Sequence, residues 1–207
     1  MNTSTTPSAR KPSSWTVLLL ALLFIVPFGL AWYYYQSKDV REFKLVNHGE
    51  LIRPARDIKN IALVDPSNEA QFLGSELKGS WWIWYVSPNR CQQECHDNLY
   101  NIKQMITALG KDSERVSTLF VSLPDCQVQA CENYVLEHYP TMKQAHMDSK
   151  AFNTFFDGVT EQLDRERVGE IYISDPRGFV MMRYSGEINH QYILKDLKRL
   201  LKVSQIG

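Results

Sequence analysis

A chain of 207 residues with 44% hydrophobic, 12% aromatic and 22% charged side chains has ordinary globular composition, which excludes a disordered, collagenous or small disulfide-framework protein. Lys plus Arg and Asp plus Glu both total 23, so the chain lacks the broad positive field that nucleic-acid binding needs. One or at most two domains fit this length.

Residues 1–14 are rich in Ser, Thr and Pro, have little to bury and read as a disordered cytoplasmic tail. Residues 15–35 follow as 21 positions without a charged side chain. At 1.5 Å per residue such a helix covers about 30 Å, the thickness of a hydrocarbon core. Trp15 at one end and Trp32-Tyr33-Tyr34-Tyr35 at the other have the character of interfacial aromatic belts, and Pro27 is tolerated in a membrane helix. The expectation is one transmembrane helix over 15–35. A buried core helix and a cleaved signal peptide compete with it, the latter weakened because the apolar run continues past Gly29-Leu30-Ala31. Basic residues number two before the span (Arg10, Lys11) and three after it (Lys38, Arg41, Lys44), so charge orients it only weakly. A short tail, one span and a large C-terminal domain is the build of a signal anchor. The expected location is the inner (cytoplasmic) membrane, single-pass, with the C-terminal domain on the periplasmic or outer face.

Residues 36–58 have turn formers and little periodicity and read as a linker or a loosely packed entry strand, leaving 59–207 as the domain. The run at 61–64 stops at Asp65-Pro66, and 72–79 reads as a loop or short turn. The first secure element is Trp81-Trp82-Ile83-Trp84-Tyr85-Val86, a continuous aromatic and β-branched run of the kind found in strands buried on both faces. Cys95, Leu99, Ile102, Ile106 and Leu109 then form a helical stripe closed by Gly110, and a second strand follows at 116–123. This is a right-handed crossover unit. Helices are expected over 131–138 and 151–163. Residues 170–174 and 179–184 flank Asp175-Pro176-Arg177-Gly178 as a β-hairpin, and Ile193, Leu197, Leu200 and Leu201 mark a terminal amphipathic helix. The order βαβ, hairpin, helix is that of a thioredoxin-like α/β domain.

Cys91 and Cys95 occupy the turn between the first secure strand and its helix, where open α/β sheets place their sites. Backbone N–H groups and the helix dipole there favour thiolate over thiol, and Arg90 adds positive charge if it points inward. A thiolate both attacks disulfides and coordinates soft metals such as Cu(I). The competing reading is an inert pair or a permanent disulfide. Cys126 and Cys131 form a second pair, open between a structural bridge, a relay with Cys91 and Cys95, and two independent thiols. His96 is read as solvated surface rather than ligand or base, and His190 as capping or exposed. His48, His138 and His146 have no second ligand at a recognisable spacing. Only one of Met181 and Met182 can face the core.

Leu77-Lys78-Gly79-Ser80-Trp81-Trp82-Ile83-Trp84-Tyr85-Val86 leading into Cys91-Gln92-Gln93-Glu94-Cys95, with Tyr172-Ile173-Ser174-Asp175-Pro176-Arg177-Gly178, resembles the Sco/SenC family over roughly residues 60–203. Asn47-His48-Gly49-Glu50-Leu51-Ile52-Arg53-Pro54 is similar to a segment of small membrane-anchored proteins associated with bacterial oxidase assembly. The resemblance implies a thioredoxin-like domain tethered by one span and engaged in building the copper centre of cytochrome c oxidase. It also implies Cu(I) at Cys91 and Cys95, and respiratory oxidase subunits or another assembly factor as partners. This chain departs from the family in having His96 where a proline usually follows the second cysteine. It also has no histidine in Asp164-Arg165-Glu166-Arg167-Val168-Gly169, where the third copper ligand would lie, and it lacks the thioredoxin proline before the late strand. Copper delivery or thiol reduction through Cys91 and Cys95 therefore stands beside two alternatives: a thiol-disulfide oxidoreductase of exported proteins, and a degenerate non-catalytic scaffold subunit.

Overall fold

The computed structural model describes residues 14–36, 47–87, 91–123, 128–157 and 169–204, which fall into an N-terminal unit ending at Val46 and a domain from Asn47 onward. The N-terminal unit contains one helix, α1 (Ser14–Gln36), 23 residues long with Pro27 inside it and no acidic first turn or basic last turn. Leu19, Leu23, Phe24, Phe28 and Trp32 are all exposed, so among the described side chains from 17 to 33 the helix shows no polar face. Among the described residues no helix is long and apolar enough to cross a membrane. The expected tail lies outside the described residues except for Ser14.

In the domain the described strands form one eight-stranded sheet of order β1-β8-β7-β4-β5-β6-β2-β3. The strands are β1 (Glu50–Asp57), β2 (Ala62–Val64), β3 (Gln71–Leu73), β4 (Trp81–Val86), β5 (Val116–Ser122), β6 (Lys143–His146), β7 (Ile171–Ser174) and β8 (Phe179–Tyr184). The helices are α2 (Gln93–Ala108), α3 (Val128–His138), α4 (Ser149–Phe155) and α5 (His190–Val203). β4 lies at the centre, parallel to β5 and antiparallel to β7.

That position explains its sequence. Ile83 and Tyr85 point into a core formed with Leu99 and Ile102 of α2, Val135 of α3, and Ile193 and Leu197 of α5. Trp84 and Val86 point into the opposite core with Phe152, Phe156 and Tyr172. Both faces are covered, so every position of the strand except half-buried Trp82 is buried and no polar alternation is visible. The hairpin turns at Asp175, whose carboxylate accepts from the backbone N–H groups of Arg177 (3.1 Å) and Phe179 (2.9 Å), while Gly178 supplies the required positive φ of 92°. Of the methionine pair, Met182 is buried and Met181 half-buried, as alternation requires.

Three strands go beyond the sequence reading. The stretch read as a linker or a loosely packed entry strand contains β1, paired antiparallel with β8 and interrupted in register between Leu51 and Arg56. Only Ile52 of β1 is fully buried, and an edge strand with one buried side chain carries no hydrophobic period. The expected loop at 72–79 contains β3 and a 3-10 turn, Gly74–Leu77. β6 is short and polar and lies hydrogen-bonded to β5 in register, from Leu119↔Lys143 to Ser122↔His146. α4 ends at Phe155, and residues 158–163 of the helix expected there lie outside the described residues.

Candidate functional site

β4 ends at Val86, and α2 begins seven residues later with Gln92 as N-cap. Gln92 makes no side-chain capping bond, so the first-turn amides of α2 are not taken up by a cap, and Glu94 is the one acid in that turn. Cys91 and Cys95 meet here as a disulfide with Cα atoms 5.0 Å apart. They differ in access: Cys95 is 2% exposed on the core face of α2, and Cys91 is half-buried at the turn. The two predicted site residues are thus brought together in the oxidised form. Arg90 lies outside the described residues.

Cys131, on α3, enters the same place. Its Sγ accepts a hydrogen bond from the Cys91 backbone N–H at 3.1 Å, and its side chain is 3% exposed within the core that holds Cys95 and, at its margin, Cys91. α3 is fixed there from the next residue. Ser122, buried at the end of β5, donates its hydroxyl proton to Glu132 Oε1 (2.7 Å), so the contact with His146 Nδ1 at 3.2 Å is accepted by the hydroxyl oxygen. The Cys126 half of the second pair lies outside the described residues.

Across the strand ends, the segment before β7 closes against β4. Val86 N–H donates to Glu170 O at 2.9 Å, and Glu170 is itself held by Arg183 Nε at 2.8 Å and by the Tyr172 hydroxyl. Burial, reinforced by Glu170, pushes the Tyr172 hydroxyl far up, so it remains a proton donor to Glu170 at any ordinary pH. Gly169 fits only without a side chain, since a Cβ would lie 2.5 Å from Val86 O and 2.7 Å from Tyr85 Oη. Gly169→Ala is expected to lower stability by about 2–3 kcal/mol through overpacking. An unchanged urea midpoint would show that this segment yields freely. Asp164 to Val168, where the family's histidine would be sought, lie outside the described residues.

His96 is not solvated surface. It stacks on Tyr134 at 3.8 Å between centroids, and Tyr134 in turn stacks on His138 at 4.3 Å, tying α2 to α3. His190 sits at the first position of α5 behind the cap Asn189; burial lowers its pKa, and its Nε2 has no hydrogen-bond partner among the described residues. His48 belongs to a second polar centre that sequence reasoning missed. The Asp196 carboxylate, 2% exposed, accepts from His48 N (2.6 Å), Gly49 N (3.1 Å), Tyr184 Oη (3.2 Å) and His48 Nδ1 (3.0 Å). The available signal was its place on the apolar stripe of α5, three residues after Ile193 and beside Leu197. This centre joins the entry segment to α5 and is structural.

A family model described as transmembrane-like, thioredoxin-like, C-terminal domain matches residues 81–204. The chain belongs to this family. No curated protein matches the sequence. Among solved structures, apo Sco1 from Thermus thermophilus is 16% identical with a TM-score of 0.56, covering 75% of this chain and 97% of that one. Copper-bound ScoI from Arabidopsis thaliana is 18% identical at a TM-score of 0.54, covering 70% and 97%. BsSco, described as a member of the Sco family of cytochrome c oxidase assembly proteins with a disulfide switch, is 14% identical at 0.52, covering 73% and 96%. The thioredoxin-like domain of this chain therefore has the fold of the Sco proteins.

Proposed function

We propose that this transmembrane-like, thioredoxin-like protein is a membrane-anchored dithiol protein of Sco type that assists cytochrome c oxidase biogenesis by thiol-disulfide exchange through Cys91 and Cys95. The observation that carries the reading is the Cys91–Cys95 disulfide, set between the end of the central strand and the uncapped start of α2. In the reduced form, the first-turn amides of α2 stabilise a thiolate at this position. The Cys91 thiolate attacks a disulfide sulfur of the partner and forms a mixed disulfide, releasing one partner thiolate. The Cys95 thiolate then attacks Cys91 Sγ, which re-forms the intramolecular disulfide and releases the second partner thiol. Two electrons pass from the pair to the partner. Exported disulfides, including an oxidised cysteine pair of an oxidase copper site, are substrates of this class. The reduced pair also offers two soft thiolates, a donor set suited to Cu(I) as cargo.

α1 is read as the anchor. Its 23 residues expose apolar side chains, from Trp15 through Leu23 and Phe28 to Trp32, which is what supports the reading. The full chain is expected to stay with the membrane pellet after alkaline carbonate extraction. Release into the supernatant would sink the anchor while leaving the dithiol role intact. The role itself is tested in a strain lacking this protein. Wild-type chain should restore oxidase copper-centre absorbance and the Cys91→Ser/Cys95→Ser double variant should not. Equal restoration would instead favour the scaffold alternative.

A further inference from the structure

Three sulfurs converge where the turn after β4, the first turns of α2 and the start of α3 meet. Cys91 and Cys95 are bonded to each other, and the Cys131 sulfur accepts the backbone N–H of Cys91 itself at 3.1 Å. We propose that reduction of the pair turns this cluster into a three-thiolate site for a single Cu(I) ion, with Cys131 as the third ligand. The inference rests on the dithiol reading above and adds to it a ligand and a cargo.

The donor chemistry selects the ion. Thiolate sulfur suits soft cations, whereas hard cations need several oxygens; of the acids adjoining these cysteines, Glu94 is exposed on the outer side of α2 and Glu132 accepts from Ser122. Cu(I) is satisfied by two or three sulfurs, while zinc is held tetrahedrally by four ligands. Among the described residues no group of three or more His, Cys, Asp or Glu is arranged to hold a metal ion as the chain stands. A disulfide explains this, since two of the three sulfurs here are bonded to each other and neither is a thiolate.

Cys95 and Cys131 are 2% and 3% exposed, so the site is closed to water and to competing ligands. One Cu(I) offsets one of the three negative charges, and the helix N-terminus and the Cys91 amide offset part of the rest. The next residue, Glu132, is tied to Ser122, which fastens this part of α3 to the end of β5. Loading needs two electrons and two protons from a dithiol reductant to open the disulfide. Copper then displaces a proton from each thiol and does not change its own oxidation state.

The test uses the full chain in detergent micelles, reduced anaerobically with a phosphine and titrated with Cu(I) against a chromogenic chelator, with copper X-ray absorption on the loaded protein. Wild type should bind one copper with three sulfur neighbours. Cys131→Ser and the apolar Cys131→Ala should both show two sulfurs and bind on the order of 100-fold more weakly, the scale of losing a contact that governs metal affinity. Cys126→Ser should match wild type. Equal affinity and equal sulfur number in wild type and both Cys131 variants would overturn the proposal, as would a loss that follows Cys126 instead. The Cys91→Ser/Cys95→Ser double variant separates the two readings. If it abolishes binding while the Cys131 variants bind normally, the dithiol site stands and the third ligand falls. If it leaves binding unchanged, the Cys91–Cys95 site itself fails.

Discussion

Cys95→Ser is expected to accumulate a covalent adduct with its partner, joined through Cys91, while Cys91→Ser accumulates none. The asymmetry comes from access. Cys91 is half-buried at the turn and reachable by a partner disulfide, whereas Cys95 is 2% exposed against the core and out of a partner's reach. Without Cys95 the mixed disulfide loses the thiolate that resolves it in the parent, so it persists until another thiol arrives. Non-reducing electrophoresis of membranes, followed by release of the adduct with reductant, reads the result. Adducts of equal yield from both variants would mean that either sulfur can attack, and the assigned order would be wrong. Either substitution also removes a cross-link closing a five-residue loop, so each variant should lose about 2 kcal/mol of stability. That loss must be subtracted before a functional defect is assigned to chemistry.

Asp196→Ala is expected to lower stability by about 3 kcal/mol and the thermal midpoint by about 6–12 °C. The carboxylate gathers His48, Gly49 and Tyr184 around one buried acceptor, and its removal leaves the Tyr184 hydroxyl and the Gly49 N–H without their acceptor. Burial opposes ionisation of Asp196, but the hydrogen bonds from His48 and Gly49 outweigh it and hold the carboxyl below its usual value. A depressed carboxyl contributes stability that is complete above the unfolded value, near pH 4, and disappears as the pH falls through the lower folded value. The parent should therefore lose stability on acidification more steeply than Asp196→Asn, which keeps an acceptor oxygen but cannot titrate. Burial and Asp196 together push the Tyr184 hydroxyl far up, so it remains a donor throughout that range. A change under about 0.5 kcal/mol in Asp196→Ala would show that water replaces the carboxylate at no cost.

The central elements were legible because their physics is local. Trp81 to Val86 has no polar position, since it is buried on both faces, and the Leu99 and Ile102 stripe faces that same strand. The hairpin announced itself through Asp175 and Gly178, whose side chain and backbone freedom make the turn. What escaped depends on partners distant in sequence. β6 is Lys143-Gln144-Ala145-His146, which has no strand pattern and is extended because β5 supplies the hydrogen bonds. β1 was left open between a linker and a loosely packed entry strand, because it is ordered by pairing with β8, more than a hundred residues later. The site divides in the same way: Cys91 and Cys95 are four positions apart and were paired from spacing and context, but Cys131 reaches Cys91 across 40 positions. Spacing alone left a bridge to Cys126, a relay and independence all open. Asp196 was hidden among Lys195, Lys198 and Arg199, where a charge ordinarily means a wet face.

The two ends of the sheet bear on how such a domain survives when many copies crowd one surface. An open strand edge is a template for the next molecule's backbone, and fibrils grow from such edges. At one border, β1 carries Glu50, Arg53, Arg56 and Asp57, Pro54 lacks an N–H to offer, and the register break between Leu51 and Arg56 spoils a straight row of donors and acceptors. At the other, β3 is three residues long and turns at once into a 3-10 segment, too short for a neighbour to zip along. Both borders resist polymerisation, so transient encounters with other proteins can be directed to the cysteine end of the domain and not along the flank of its sheet.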